Sequence, residues 1–72
     1  MLNEVRPLTH EQTNPATEWV IDHNFGREPA VDVFIDVNGI LTKILPNNVQ
    51  IMSANQVKII FTSPRAGKAR LV

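Results

Sequence analysis

The stretch "EWVIDHNFGREPAVDVFIDVNG", residues 18–39, decides how the chain is read. Its opening alternates: Trp19 and Ile21 share one side, while Glu18, Val20 and Asp22 share the other. That is the period of a half-buried strand. Its closing part alternates Val31, Val33, Ile35 and Val37 against Asp32, Phe34 and Asp36, and stops at Asn38-Gly39. Asn-Gly accepts positive φ at both central positions of a tight turn, so a hairpin is expected there. Between the two runs, "DHNFGREP" gathers residues suited either to a chemical site or to a corner between strands.

The residues favour the corner. Asp22 and His23 invite a carboxylate–imidazole pair, but neighbours on a strand point to opposite faces. The chain has no cysteine, and Ser53 and Ser63 lie in no nucleophile motif. His23 and Asn24 are expected to satisfy backbone groups around the turn, His23 either capping it or touching Trp19. Gly26 supplies positive φ, and Pro29 opens the next strand, where its missing N–H does little harm. Arg27 alone keeps a claim to a partner, because a guanidinium can grip a carboxylate with two hydrogen bonds.

Outward from this stretch the pattern repeats. "ILTKIL" stops at "PNN"; "VQIMS" and "VKIIFT" are separated by a short polar link; "SPRAG" reads as a turn before a last run, "KARLV". About six short strands, with no helical period, predict an all-β fold, a small antiparallel β-sandwich over residues 17–72. Residues 1–16 hold Pro7 and Pro15 and keep no period, so they read as an N-terminal arm, disordered or extended across a neighbouring subunit. Sorting by face predicts a core of Trp19, Ile21, Val31, Val33, Ile35, Val49, Ile51, Val57, Ile59, Phe61 and Leu71. Val20, Phe34, Met52 and Ile60 fall on the opposite phase and are the candidate partner interface.

Composition narrows the function. A chain of 72 residues buries only about 60% of its unfolded surface, and such folds lean on disulfides, metals or partners. Without cysteine, and with His10 and His23 far apart and no other ligand pair beside them, neither disulfide nor zinc is expected; no cofactor is implied. Partnership remains. Seven basic residues balance seven acidic ones, which gives no long-range attraction for nucleic acid or anionic lipid. No apolar run is long enough to cross a bilayer, and the start lacks the features of a signal peptide, so a soluble chain made inside a cell is expected. "SPRAGKAR" carries Arg65, Lys68 and Arg70 but lacks the first glycine and the Ser/Thr of a phosphate loop. No catalytic residue is assigned.

The order of these elements resembles a small β domain recurrent in virion proteins of tailed bacteriophages. Its members have an aromatic-led strand, His-Asn-Leu-Gly-Arg, a proline and a valine-rich strand ending near glycine. A Val-x-Val-x-Phe strand and a Pro-x-x-Gly-x-Ala-x-Leu ending follow. The matching residues are Trp19, Ile21, His23, Asn24, Gly26, Arg27, Pro29, Val31, Val33 and Gly39, then Val57, Ile59, Phe61, Pro64, Gly67, Ala69 and Leu71. Phe25 stands where leucine is usual. The resemblance covers residues 17–72 and implies a non-enzymatic structural or attachment module. As the module is nearly the whole chain, a small accessory subunit of the particle is expected, in the tail, baseplate, neck, fibre or capsid surface. It would dock onto other virion proteins or copies of itself. The alternatives are a carbohydrate- or receptor-binding module of a fibre, which needs an exposed Trp19, and a small nucleic-acid-binding β-barrel.

Overall fold

The computed structural model describes residues 7–72. It contains no helix among them and five strands: β1 (Leu8–Asp22), β2 (Val31–Val37), β3 (Ile40–Ile44), β4 (Asn48–Ser53) and β5 (Gln56–Leu71). All pair antiparallel in one sheet, in the order β1-β5-β2-β3, with β4 also on β5. The all-β, antiparallel expectation holds at that level. The count of six strands does not, because "VKIIFT" and "KARLV" belong to one sixteen-residue strand that runs through "SPRAG".

The long strands β1 and β5 form a two-stranded ribbon with different neighbours at its two ends. Gln56–Ile60 pairs with β4, and Lys68–Leu71 pairs with β2. Laid straight, β5 would be about 50 Å long. Yet residues 23–30 connect Asp22, opposite Gln56, to Val31, opposite Leu71, and this link can span at most about 32 Å. The ribbon therefore bends back on itself. The core joins Trp19, Ile21, Val57, Ile59 and Phe61 from one half with Val33, Ala69 and Leu71 from the other.

The bend is marked by irregular pairing. Along β1, four steps from Gln12 to Ala16 match two on β5, from Gly67 to Arg65. From Ala16 to Glu18, two steps match five, Arg65 to Ile60. Pro15 and Pro64 both sit in this interrupted region, where a proline removes no ladder hydrogen bond. The two bulges leave a net slip of one residue, and a one-residue slip moves a strand's side chains to the other face. β5 buries odd positions on both sides of the corner, Val57, Ile59 and Phe61 on one and Ala69 and Leu71 on the other, with residues 62–65 exposed between them. β1 changes phase: Leu8, His10 and Gln12 are its half-buried positions before the corner, Trp19 and Ile21 its buried ones after it.

This phase change is why residues 8–16 read as an arm. Leu8–Ala16 in fact form the first half of β1, paired along Arg65–Leu71 of the same chain, so the strand begins well before residue 17. Residues 1–6 of the expected arm lie outside the described residues.

The core set needs two further corrections. Val49 and Ile51 follow the inward phase, but are 36% and 44% exposed, since β4 is a short edge strand that nothing in the described chain covers. Val31 and Ile35 are only half-buried. Ala69, absent from the expected set, is fully buried, and nearby Gly67 leaves no room for a side chain. A Cβ on Gly67 would stand 2.3 Å from the Phe34 carbonyl oxygen and 3.1 Å from Ile35 Cγ2. Gly67 is thus where β2 crosses closely over β5, not a turn glycine. The β2–β3 hairpin is as expected, with φ +53° at Asn38 and +83° at Gly39, and Asp36 Oδ1 accepting the Gly39 N–H at 2.7 Å.

Because the Cβ would meet backbone, Gly67→Ala is expected to lower the unfolding free energy by about 1–3 kcal/mol, the usual range for overpacking. Urea denaturation with a reference substitution at exposed Thr62 would measure it; an unchanged midpoint would show that β2 can move aside.

Candidate functional site

The corner loop, residues 23–30, is built around one turn residue that sequence reasoning passed over. Asn55, in the β4–β5 turn, accepts the His23 and Asn24 N–H groups on its carbonyl, at 2.9 and 3.2 Å. Its side-chain Oδ1 accepts the Gly26 N–H at 2.8 Å. Asn24 and Gly26 reach these positions with φ of +58° and +72°, which asparagine tolerates and glycine adopts without strain. "ANQ" read only as a short polar link between two strands; an asparagine within a two-residue turn was the one available signal.

His23 is buried, with its Nδ1 accepting the Phe25 N–H at 3.0 Å. An accepting Nδ1 places the ring proton on Nε2, which is buried and has no partner among the described residues. The Phe25 ring lies 4.7 Å from the His23 ring, packs on the core and carries the Arg27 guanidinium 5.2 Å above its face. Arg27 Nη1 donates to the Glu28 carbonyl at 2.9 Å and reaches that of Val72 at 3.5 Å. Ala30 and Val72 exchange two backbone hydrogen bonds, each 2.9 Å. The loop is therefore a clasp: one end is bound to Asn55, just before β5, and the other to Val72, just after it.

Asp22 does not meet His23. Its carboxylate accepts from Gln56 Nε2 at 2.7 Å, out on the exposed face. Pro29 is half-buried at the start of β2's approach. Trp19 has no exposed surface; its indole N–H donates to the Arg65 carbonyl at 3.0 Å, and its ring meets Phe61 at 4.7 Å and His10 at 6.0 Å.

The four apolar residues of the expected interface do not form one patch. Val20 and Ile60 share the outer face of the β1/β5/β4 half, where Val20 is opposite Lys58 and Ile60 opposite Glu18. Met52 is at the register shift ending β4, on the same half and 48% exposed. Phe34 belongs to the other half, opposite Lys68 and Lys43. There it walls a shallow cleft of about 410 Å³ with Leu41, Thr9, Pro7, Lys68 and Arg70. The three cations of the last strand are divided as well. Arg65 borders a second cleft beside Leu45 and Phe61, while Lys68 and Arg70 face Glu11 and Asp32 across the ladder. Asp32 also pairs with Lys43 at 3.0 Å, and Glu18 with Lys58 at 3.7 Å, so the outer faces carry interleaved charge.

The largest run of exposed apolar side chains follows the free edges instead: Val37 and the β3 residues Ile40 and Leu41, then Leu45, which is 90% exposed, then Val49, Ile51 and Met52. The described residues hold no group of three or more His, Cys, Asp or Glu placed to share a metal ion. No family model, curated protein or solved structure matches the chain.

Asn55→Ala removes the Gly26 acceptor and is expected to cost about 0.5–1.5 kcal/mol, the net contribution of an ordinary hydrogen bond, here at an exposed turn. Thermal unfolding followed by circular dichroism would check this, and no change would mean that the carbonyl alone holds the clasp.

Proposed function

We propose that the chain is a non-enzymatic structural subunit of a tailed-bacteriophage particle, docking onto neighbouring virion proteins or copies of itself. The observation that carries this reading is a small fold with little interior and many apolar side chains on its free edges. A fold that leaves Leu45, Ile40, Ile51 and Met52 in water gains by association. The resemblance to phage virion domains supplies the kind of assembly. Its His-Asn-x-Gly-Arg signature falls on the clasp, and its Gly-x-Ala on the close crossing at Gly67 and Ala69, so the residues it names have structural work. On this reading the bent sheet acts as a two-layered, sandwich-like block held between partners, with Phe34 and Leu41 on one outer face and Val20 and Ile60 on another.

The two alternatives lose their key residues to the core. Stacking on sugar needs a free aromatic face, and Trp19 is enclosed; stacking on bases needs the same, and Phe61 is only 7% exposed. Lys68 and Arg70 stand opposite Glu11 and Asp32, and Arg65 is set apart from them beside Leu45 and Phe61, which is poor ground for phosphate.

Mass spectrometry of purified particles from a host infected with the phage encoding this chain is expected to detect it in fixed proportion to the other structural proteins. Its absence would end the proposal. Within it, Phe34→Glu is expected to leave the circular-dichroism spectrum intact and to reduce incorporation into particles, since Phe34 is on an outer face. Val33→Asp, at a position 1% exposed, is expected to unfold the isolated domain, because an unpaired buried charge outweighs the stability of so small a fold.

A further inference from the structure

Among the described residues three strands of the sheet have a free edge, and they are not equally protected. β1 carries Pro15, two bulges and the charges of Glu11, Glu18 and Asp22. β3 carries Lys43, held by Asp32. β4, "NVQIMS", has neither charge nor proline, and its register shift comes only at its end, between Ile51 and Ser53. The whole stretch 44–57 contains no charged residue, although the chain has fourteen. Free edges are normally blunted by lysine, proline or bulges, because unpaired N–H and C=O groups recruit another strand. Among the described residues β4 pairs only with β5, so every second N–H and C=O of its regular part points away from the sheet, and all six of its residues are exposed.

From this we infer that β4 is covered by β4 of a second copy, antiparallel about a two-fold axis at Gln50. A two-fold normal to the sheet requires opposed residues to lie on the same face, so the axis must pass through a residue pair, not between pairs. Centring on Gln50 uses the strand most fully. Val49 faces the partner's Ile51 and Ile51 its Val49, extending the apolar inner face beside Val57 and Ile59, to which they are already paired. On the outer face Gln50 meets Gln50, and Asn48 meets Met52. The charge pattern selects this occupant: an uncharged edge meets its own copy without repulsion, and offers a charged foreign strand nothing to pair with. A contact of one short strand per copy belongs to the class burying less than about 1,200 Å², so the dimer is weak and concentration-dependent.

This deepens the docking role by naming one partner, and it is decided in solution without any particle. The cysteine-free chain makes the test direct. Residues directly opposed across a ladder have Cβ atoms about 4.5–5.5 Å apart, within reach of a short bismaleimide. Gln50→Cys is expected to cross-link to a covalent dimer, whereas Thr17→Cys, exposed on the β1 edge, is expected to remain monomeric. Sedimentation of the native chain should show concentration-dependent dimers, and Ile51→Lys should weaken them at least about tenfold while leaving the circular-dichroism spectrum unchanged. Because Ile51 is exposed, loss of the fold in that variant would itself overturn the geometry, and Val49→Lys repeats the test at the opposed position. The inference also fails if folded Gln50→Cys does not cross-link, if Thr17→Cys cross-links equally, or if the native chain sediments only as a monomer. Detection of the chain in virions, by contrast, is unaffected by any of these outcomes.

Discussion

The structure depends on keeping a long β-ribbon bent. A sixteen-residue strand paired to another of fifteen is an extended object with no interior. Only by doubling back can it bring Trp19, Ile21, Val57 and Ile59 against Val33, Ala69 and Leu71. The loop after β1 holds the ends together through hydrogen bonds to Asn55 on one side and Val72 on the other. At the corner, bulges absorb the curvature, and the prolines lie where no ladder bond is lost. Clasp and corner are two halves of one constraint: the loop is too short for a straight ribbon, and a straight ribbon would have no core.

From that bend follows an uneven distribution of burial. The ribbon's halves cover each other, so Trp19, Ile59 and Leu71 lose all exposure. The strands added to its flank are covered less, and β4 hardly at all. In a chain this small there is no second layer to spare for the edges. Apolar side chains consequently remain exposed along β3, the Leu45 link and β4. The same economy engages Trp19, Phe61, the buried His23 imidazole and Gly26 in holding the bend.

Much was legible along the chain. Alternation identified the strand segments, Asn38-Gly39 marked its hairpin, and the role of "DHNFGREP" as a corner followed from adjacent residues facing opposite ways. What escaped was tied to pairing. Leu8, His10 and Gln12 alternate in the phase opposite to Trp19 and Ile21, so a single-period reading breaks at the corner and the strand is taken for an arm. Proline and glycine in "SPRAG" suggested a turn, although Pro64 tolerates a bulge and Gly67 makes room for the Phe34 carbonyl. Val20, Ile60 and Phe34 share an outward phase but lie on different halves of the bent sheet.

The amino-acid sequence alone determined that this protein is all-β, which side chains each strand sets on a common face, and that "DHNFGREP" turns the chain between two strands. These are consequences of local backbone geometry and of the two-residue period. The tertiary structure decided which faces meet, that β1 changes phase at its bulges, that Asn55 anchors the clasp, and that Val49 and Ile51 point inward yet stay in water. Those outcomes depend on strand register and on what lies opposite, and neither is encoded within a single segment.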